Sequence, residues 1–530
     1  MTLRELIDLR EDAVALREEM AQAELRRARG LPAPLDVAAL VRAHRLATSG
    51  EGLAQACEAL EDAKSAGRSA RLASLRDFLV RVRAMALEPR AAQELWSFPA
   101  RPSVMLPGDP GLHGALAPLL VERDLPFEAS RDRRADMEDG LAGAERQVAG
   151  ARSAAWEAAQ AALSELRAGE PVDAAWSLQE RGWAKPAPPV EPDRTAPPLP
   201  PGFVPAPPAP PKDPLTQACE QFLATTDGVA RDLGGWILQR YAGASTSDVS
   251  LHDIQRLIFA PRFASAFPRD EMLRTCRRWA DQLRFDLSLA GCIRIEDDAA
   301  PLKPLAGRAV AVDPPHEVRV CFLPLEGPGA LSALLSAFGA AFLRAGPPPD
   351  APPEDLWFSE RGLDHACEAL FALLLLDPRW TKRCAGTDLS LDDERALAVA
   401  RLFEARIRAA RALASREAHV AGSLARATTT SRELFQRACR AALPAGLALR
   451  DLDPWLDSFA ELRGWAFAAS AWGHLRERYD EDFWRNPRAG AAIQGLFARG
   501  GRPTLRELWS EIDAAPSVAP LAALLLEACA

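Results

Sequence analysis

A run of prolines divides this chain and limits what it can fold into. Between Pro186 and Pro214, fourteen of the 29 residues are proline. Because proline lacks the backbone N–H and fixes φ, this segment cannot form a helix or the interior of a sheet. It predicts an extended polyproline-II spacer, with a ligand for an aromatic groove as the alternative. We therefore expect an N-terminal helical domain over 1–185, a Pro-rich linker or insertion over 186–214, and a C-terminal domain over 215–530.

The composition excludes several classes of protein. With 48% hydrophobic residues among 530, the chain has enough apolar material for a large core. Its net charge of −9 provides no basic field to attract nucleic acid or an anionic membrane, so neither partner is expected. The longest apolar run, over 370–376, is too short to span a bilayer, and the N-terminus has no apolar signal core. We expect a cytoplasmic protein without membrane insertion.

Most of the chain predicts α-helix. The N-terminal part is rich in Ala, Leu, Glu and Arg and poor in β-branched residues. In the C-terminal part, three Ser/Thr-x-x-Asp/Glu signals mark helix starts. These signals are Ser250-x-x-Asp253, Ser390-x-x-Asp393 and Thr504-x-x-Glu507.

One interval breaks the helical pattern. Apolar and polar residues alternate at period two over 293–295, 309–313 and 318–323, with Pro314-Pro315 as a turn. The sequence therefore predicts a mainly α protein with a small β hairpin or sheet near 293–323.

The segment after this hairpin has a recognisable order of elements. A Gly-containing turn over 326–329 precedes an apolar helix, a Pro-rich loop follows, and a second helix carries Asp364, His365 and Glu368. This order resembles the catalytic region of the thimet oligopeptidase and oligoendopeptidase family of zinc peptidases. The resemblance implies a zincin-like, oligopeptidase-type helical fold.

In that family the apolar helix carries His-Glu-x-Gly-His-Ala. The two histidines bind zinc, the glutamate polarises the attacking water, and a glutamate on the next helix is the third protein ligand. The matching stretch here, over 336–341, reads Ser-Ala-Phe-Gly-Ala-Ala. The glycine and the final alanine match the family motif, and the catalytic positions do not.

The resemblance therefore implies a degenerate metal site. Ser336 and Ala340 stand at the histidine positions, Ala337 stands at the position of the general base, and Glu368 matches the third ligand. Since one carboxylate cannot hold zinc, we expect no metal ligands and no cofactor. The alternative for Glu368 is a helix carboxylate paired with a nearby arginine.

The same resemblance suggests where a peptide would bind. The C-terminal helices that bring an aromatic hydroxyl toward the peptide match the stretch over 479–501, so Tyr479 is the candidate, with a half-buried packing role as the alternative. The strand over 318–323, with Val318, Val320 and Phe322, is expected to be an exposed edge to which an extended peptide adds a strand.

Other constellations give weaker signals. Asp364-His365-x-x-Glu368 places an imidazole and two carboxylates on one helical face, which is more typical of a polar cluster than of a metal site. No phosphate-binding Gly-x-x-x-x-Gly-Lys-Ser/Thr motif occurs.

The sequence thus predicts a non-catalytic pseudopeptidase that binds a peptide or partner protein, or acts as a scaffold. The alternatives are a helical interaction protein unrelated to peptidases and a hydrolase with an unrecognised site. We expect Glu368 to lie within side-chain reach of 336–341. A closed two-lobed shape that encloses a channel beside 318–323 would distinguish the first hypothesis from the second.

Overall fold

The structure is a computed structural model that describes residues 3–63, 65–106, 115–166, 169–179, 183, 213–244 and 248–530. The predicted polyproline spacer lies outside the described residues, except for its last two positions. The described chain is mainly helical with one three-stranded sheet, which confirms the predicted fold class.

The N-terminal part is a series of helices. They are α1 (Leu3–Ala28), α2 (Val37–Ala43), α3 (Arg45–Thr48), α4 (Gly50–Glu61), α5 (Ala66–Leu87), α6 (Pro89–Ser97), α7 (Pro118–Asp124), α8 (Arg131–Gln147), α9 (Ala149–Ser164) and α10 (Pro171–Gln179). After α1, Gly30 has a φ of +71°, and a Cβ there would lie 2.5 Å from the backbone nitrogen of Lys303. Glycine is therefore needed where the end of α1 packs against the C-terminal part.

The C-terminal part begins where the proline run ends. Pro214 is the first residue of α11, and Asp213 caps that helix by accepting a hydrogen bond from the Thr216 N–H (2.8 Å). The helices before the sheet and in the segment after it are α11 (Pro214–Thr225), α12 (Asp227–Ile237), α13 (Leu251–Phe259), α14 (Met272–Leu283), α15 (Pro328–Ala345), α16 (Pro353–Trp357), α17 (Arg361–Ala372) and α18 (Pro378–Trp380).

The last third of the chain is helical as well. It contains α19 (Leu391–Ala421), α20 (Leu424–Cys439), α21 (Ala445–Ala448), α22 (Asp457–Tyr479), α23 (Pro487–Phe497), α24 (Leu505–Glu511) and α25 (Ala519–Cys529). The three predicted start signals are confirmed: capping boxes begin α13 and α24, and the Ser390 side chain caps α19. These caps satisfy backbone N–H groups that have no partner inside the helix.

The sheet consists of β1 (Ile293–Glu296), β2 (Arg308–Asp313) and β3 (Glu317–Cys321), in the order β1-β3-β2. β2 and β3 form the predicted antiparallel hairpin, and β1 pairs with β3 in parallel.

The expected edge position of the strand over 318–323 is wrong. β3 is the central strand, and Val318 and Val320 are fully buried. Period-two alternation indicates a strand but does not determine strand order. Here β1 pairs with β3 on the side opposite β2. Phe322 is also buried, and the edge strands of the sheet are β1 and β2.

The two parts of the chain share one hydrophobic core. A single cluster of buried side chains includes Leu9 and Leu75 from the N-terminal part with Phe338 and Trp472 from the C-terminal part. The predicted division into domains at 186–214 stays a prediction.

α15 is the one described helix long and apolar enough to cross a membrane. Inside the fold, 78% of its apolar window is buried against neighbouring elements, as in the core helix of a globular protein.

Candidate functional site

A cavity of ≈ 640 Å³ lies where the N-terminal and C-terminal parts meet. α1 contributes Arg17 and Glu24, and the remaining wall comes from α13, β2, α15, α17, α19 and α22. A cavity of this volume is in the range that holds small ligands or short segments of larger ones.

One face of α15 forms a wall of the cavity. The residues on this face are three or four positions apart, as one side of a helix requires. They are Ser332, Ala333, Ser336, Ala337, Ala340 and Arg344. The structure thus brings the three degenerate positions together on the cavity surface, where their small side chains leave space.

Gly339 brings α17 close to this wall. A Cβ on Gly339 would lie 2.1 Å from the carbonyl oxygen of Cys367 and 3.1 Å from the Cα of Glu368, so the two helices touch through backbone. Glu368 lines the same cavity as Ala340. The expected proximity of the two helices and of these two residues is therefore present in the structure.

Glu368 is paired with His365. The Nδ1 of His365 lies 2.9 Å from a carboxylate oxygen of Glu368, whereas the sequence alternative was an arginine partner. Burial lowers the pKa of His365, but the charges of Glu368 and Glu461, with the hydrogen bond to Glu368, outweigh burial and raise it. The buried Nε2 of His365 has no hydrogen-bond partner in the described part of the chain.

Asp364 belongs to a different group of side chains. It accepts hydrogen bonds from Arg344 (2.7 Å) and from the hydroxyl of Ser359 (2.5 Å). The predicted cluster of Asp364, His365 and Glu368 is therefore divided by its partners: Asp364 anchors the end of α15 and His365 pairs with Glu368, while all three residues line the cavity.

The donor set in the cavity does not fit zinc. Zinc sites use three or four nitrogen, sulfur or carboxylate ligands, and the α15 face offers only a hydroxyl and methyl groups at the degenerate positions. The described residues contain no group of three or more His, Cys, Asp or Glu that could hold a metal ion.

The free edge of β2 also lines the cavity. The N–H groups of Val318 and Phe322 donate to the carbonyl oxygens of Cys292 and Glu296 on the β1 side, so the alternate residues of β3 bond to β2. Through the register of that pair, Ala309 and Ala311 direct their N–H and C=O groups away from β3. The six consecutive residues 306–311 line the cavity, as expected for a strand edge. Sequence reasoning missed this edge, although β2 was in the predicted hairpin.

Tyr479 lies elsewhere. It ends α22 beside Arg485 and Asn486, next to a separate surface depression, and the guanidinium of Arg478 lies 5.5 Å from the centre of its ring. The structure does not bring Tyr479 to the cavity, because α22 presents Glu461 and Trp465 there, about five and four turns earlier. Trp465 also lines the cavity, and the centre of its ring lies 4.3 Å from the Arg408 guanidinium.

Comparisons with known proteins identify the fold. No family profile and no curated protein sequence matches the chain with statistical significance. Among solved structures, PZ peptidase A with an inhibitor is similar over 100% of this chain and 96% of its own, with a TM-score of 0.62 and 11% identity. A Pyrococcus furiosus carboxypeptidase is similar over 100% of both chains, with a TM-score of 0.56 and 11% identity.

A Bacillus anthracis protein provisionally classified as an oligoendopeptidase F shows the same relationship. It covers 90% of this chain and 81% of its own, with a TM-score of 0.55 and 11% identity. At these identities the likeness shows the fold alone: the chain has the helical, zincin-like fold of these peptidases.

Proposed function

We propose that this protein is a non-catalytic relative of the zinc peptidases in which the substrate cavity binds an extended peptide or an extended segment of a partner protein. One observation carries the proposal: the unpaired edge of β2 lines the cavity directly beside Ser336, Ala337 and Ala340. The peptidase fold disfavours the alternative of a helical scaffold unrelated to peptidases.

The binding mode follows from the exposed edge. Ala309 and Ala311 offer N–H and C=O groups that an added strand would satisfy, and main-chain hydrogen bonds supply affinity without a demand on the ligand's sequence. The central strand β3 supports β2 through Val318 and Val320, and Phe322 directly follows β3. In this proposal none of these three residues contacts the peptide.

The absence of catalysis is part of the proposal. Peptide hydrolysis by this fold requires a metal to activate water and a base to accept its proton. The α15 face has neither, and Glu368 is engaged with His365. We place this binding activity in the cytoplasm, with no cofactor.

The test compares two substitutions at one position. Ala309→Pro removes the N–H that points away from β3 and leaves the hydrogen bonds between β2 and β3 in place. Ala309→Val keeps that N–H. We expect fluorescence anisotropy with an unbiased, fluorescein-labelled octapeptide library to show binding to wild type and to Ala309→Val. Binding to Ala309→Pro should be at least about tenfold weaker. Absence of binding to wild type, or equal binding to the folded proline variant, would refute the proposal.

A further inference from the structure

The side chains that line the cavity carry more positive than negative charge. Each of the five acidic side chains there has a basic partner. The pairs are Arg17–Glu24, Arg344–Asp364, His365–Glu368, Arg401–Glu404 and Arg408–Glu461. Two lining arginines remain: Arg361 has only longer ion pairs, with Asp364 and Asp457, and Arg308 has none in the described chain.

Arg361 has carboxylates nearby and no hydrogen bond to any of them. Its closest approaches are 3.6 Å to Asp364 and 3.8 Å to Asp457. Asp364 is already bound to Arg344 at 2.7 Å, and Asp457 accepts two hydrogen bonds from Arg81, at 2.6 and 2.8 Å. The Arg361 side chain is 45% exposed, so its donors are available to a ligand.

Arg308 is the lining arginine that has no ion pair in the described chain. It is exposed at the start of β2, and the described residues give it no hydrogen bond and no ion pair. Burial, together with the repulsive charge of Arg308, lowers the pKa of Arg27. An anion beside Arg308 would relieve this repulsion.

His365 supplies a further donor close to Arg361. The two residues are four positions apart on α17 and therefore share a face of that helix. When His365 is protonated, Nδ1 donates to Glu368 and the buried Nε2 carries a hydrogen with no acceptor in the described chain. A buried donor without a partner is costly, and a ligand carboxylate would remove that cost.

We infer that the cavity selects acidic peptides, with one ligand carboxylate bound by Arg361 and His365 and a second bound by Arg308 at the edge of β2. This inference rests on the proposed function and adds the chemical class of the ligand. The backbone of the peptide bonds to β2, and its acidic side chains provide the selectivity. Charge-assisted hydrogen bonds from arginine to carboxylate are the strong contacts in such a site.

The experiment uses two fluorescein-labelled octapeptide libraries that differ only in carrying Glu or Gln at two fixed positions. Wild type should bind the Glu library at least about tenfold more tightly than the Gln library. Arg361→Gln and, separately, Arg308→Gln should weaken binding of the Glu library and leave binding of the Gln library unchanged. Arg294→Gln is the matched control, since Arg294 is exposed on the opposite edge strand and does not line the cavity.

The possible failures can be told apart. Equal affinity for the two libraries, or Arg361→Gln and Arg308→Gln variants that still prefer Glu as strongly as wild type, would overturn this inference and leave peptide binding in place. No binding of either library by the folded wild type would overturn the proposed function as well. If Arg361→Gln does not fold, the exposed Arg308→Gln variant decides the outcome.

Discussion

Gly339 is the residue through which α15 and α17 make contact. Because a Cβ there would lie 2.1 Å from a backbone carbonyl oxygen, the helices would have to separate to accept a side chain. We expect Gly339→Ala to destabilise the protein by about 2 kcal/mol or more, the usual cost of overpacking against backbone. The measurement is the midpoint of urea unfolding followed by circular dichroism.

The control is Gly473→Ala. Gly473 lies in the interior of α22, and a Cβ there would meet nothing within 4 Å. Since alanine favours helix over glycine, this variant should gain about 0.5–1 kcal/mol. A Gly339→Ala variant as stable as wild type would show that the two helices are not in backbone contact.

His365 makes stability depend on pH. Its pKa is raised above the ordinary value of 6.5 because Glu368 and Glu461 outweigh burial. The protonated ring therefore stabilises the folded state below about pH 6.5, and this contribution is lost as pH rises through the folded pKa. We expect Glu368→Gln to lower the pKa of His365, as measured by NMR of histidine-labelled protein, and to reduce the melting temperature more in acid than in alkali.

The matched control for this titration is Glu477→Gln, a substitution of an exposed glutamate on α22. It should leave the pKa of His365 unchanged. The same pKa in wild type and in Glu368→Gln would contradict the pairing of His365 with Glu368.

At the scale of elements, α15 and α17 are, under the proposed function, a metal-binding helix pair that lacks its donors. Both helices line one cavity, with Ser336, Ala337 and Ala340 on one wall and Glu368 on the other. We expect the triple variant Ser336→His/Ala337→Glu/Ala340→His to bind one equivalent of zinc, with Glu368 as third ligand once it leaves His365. Wild type should bind no stoichiometric zinc, as measured by equilibrium dialysis and metal analysis.

A quadruple variant that adds Glu368→Ala to these three substitutions is the control, and it should lose most of the gained affinity. A folded triple variant that binds no more zinc than wild type would contradict the inherited geometry. Wild type that retains one equivalent after dialysis against a weak chelator would contradict the lack of donors.

The elements show how far sequence reasoning reaches. Local signals were sufficient for helix starts such as Ser250 and Thr504 and for the hairpin turn, because caps and turns depend on neighbouring residues. Strand order was not predictable, since a central strand such as β3 and an edge strand such as β2 alternate alike. Tyr479 was assigned to the site from its position in the chain, and only packing shows that it lies elsewhere.

At the scale of the whole molecule, the N-terminal and C-terminal parts are joined by more than the chain. They share one core, and ion pairs such as Arg71–Asp355 (2.8 and 2.7 Å) and Arg81–Asp457 connect α5 with α16 and α22. Two surfaces joined by a large apolar interface do not separate when their covalent linker is cut.

We therefore expect a protease site inserted in the Pro-rich segment to yield two fragments that remain associated. After cleavage they should elute together in size-exclusion chromatography and melt in one transition close to that of the uncut protein. The uncut protein with the same insertion is the control. Fragments that separate under native conditions would show that the two parts are independent domains.

The central claim is that the cavity binds peptides and does not cleave them. The most direct measurement is mass spectrometry of the octapeptides that carry two glutamates, after incubation with wild-type protein and zinc and separation of bound from free peptide. We expect a retained set of peptides whose masses are all intact, and loss of that set in Ala309→Pro. Shortened peptides absent from a protein-free control, or no retained peptides at all, would contradict it.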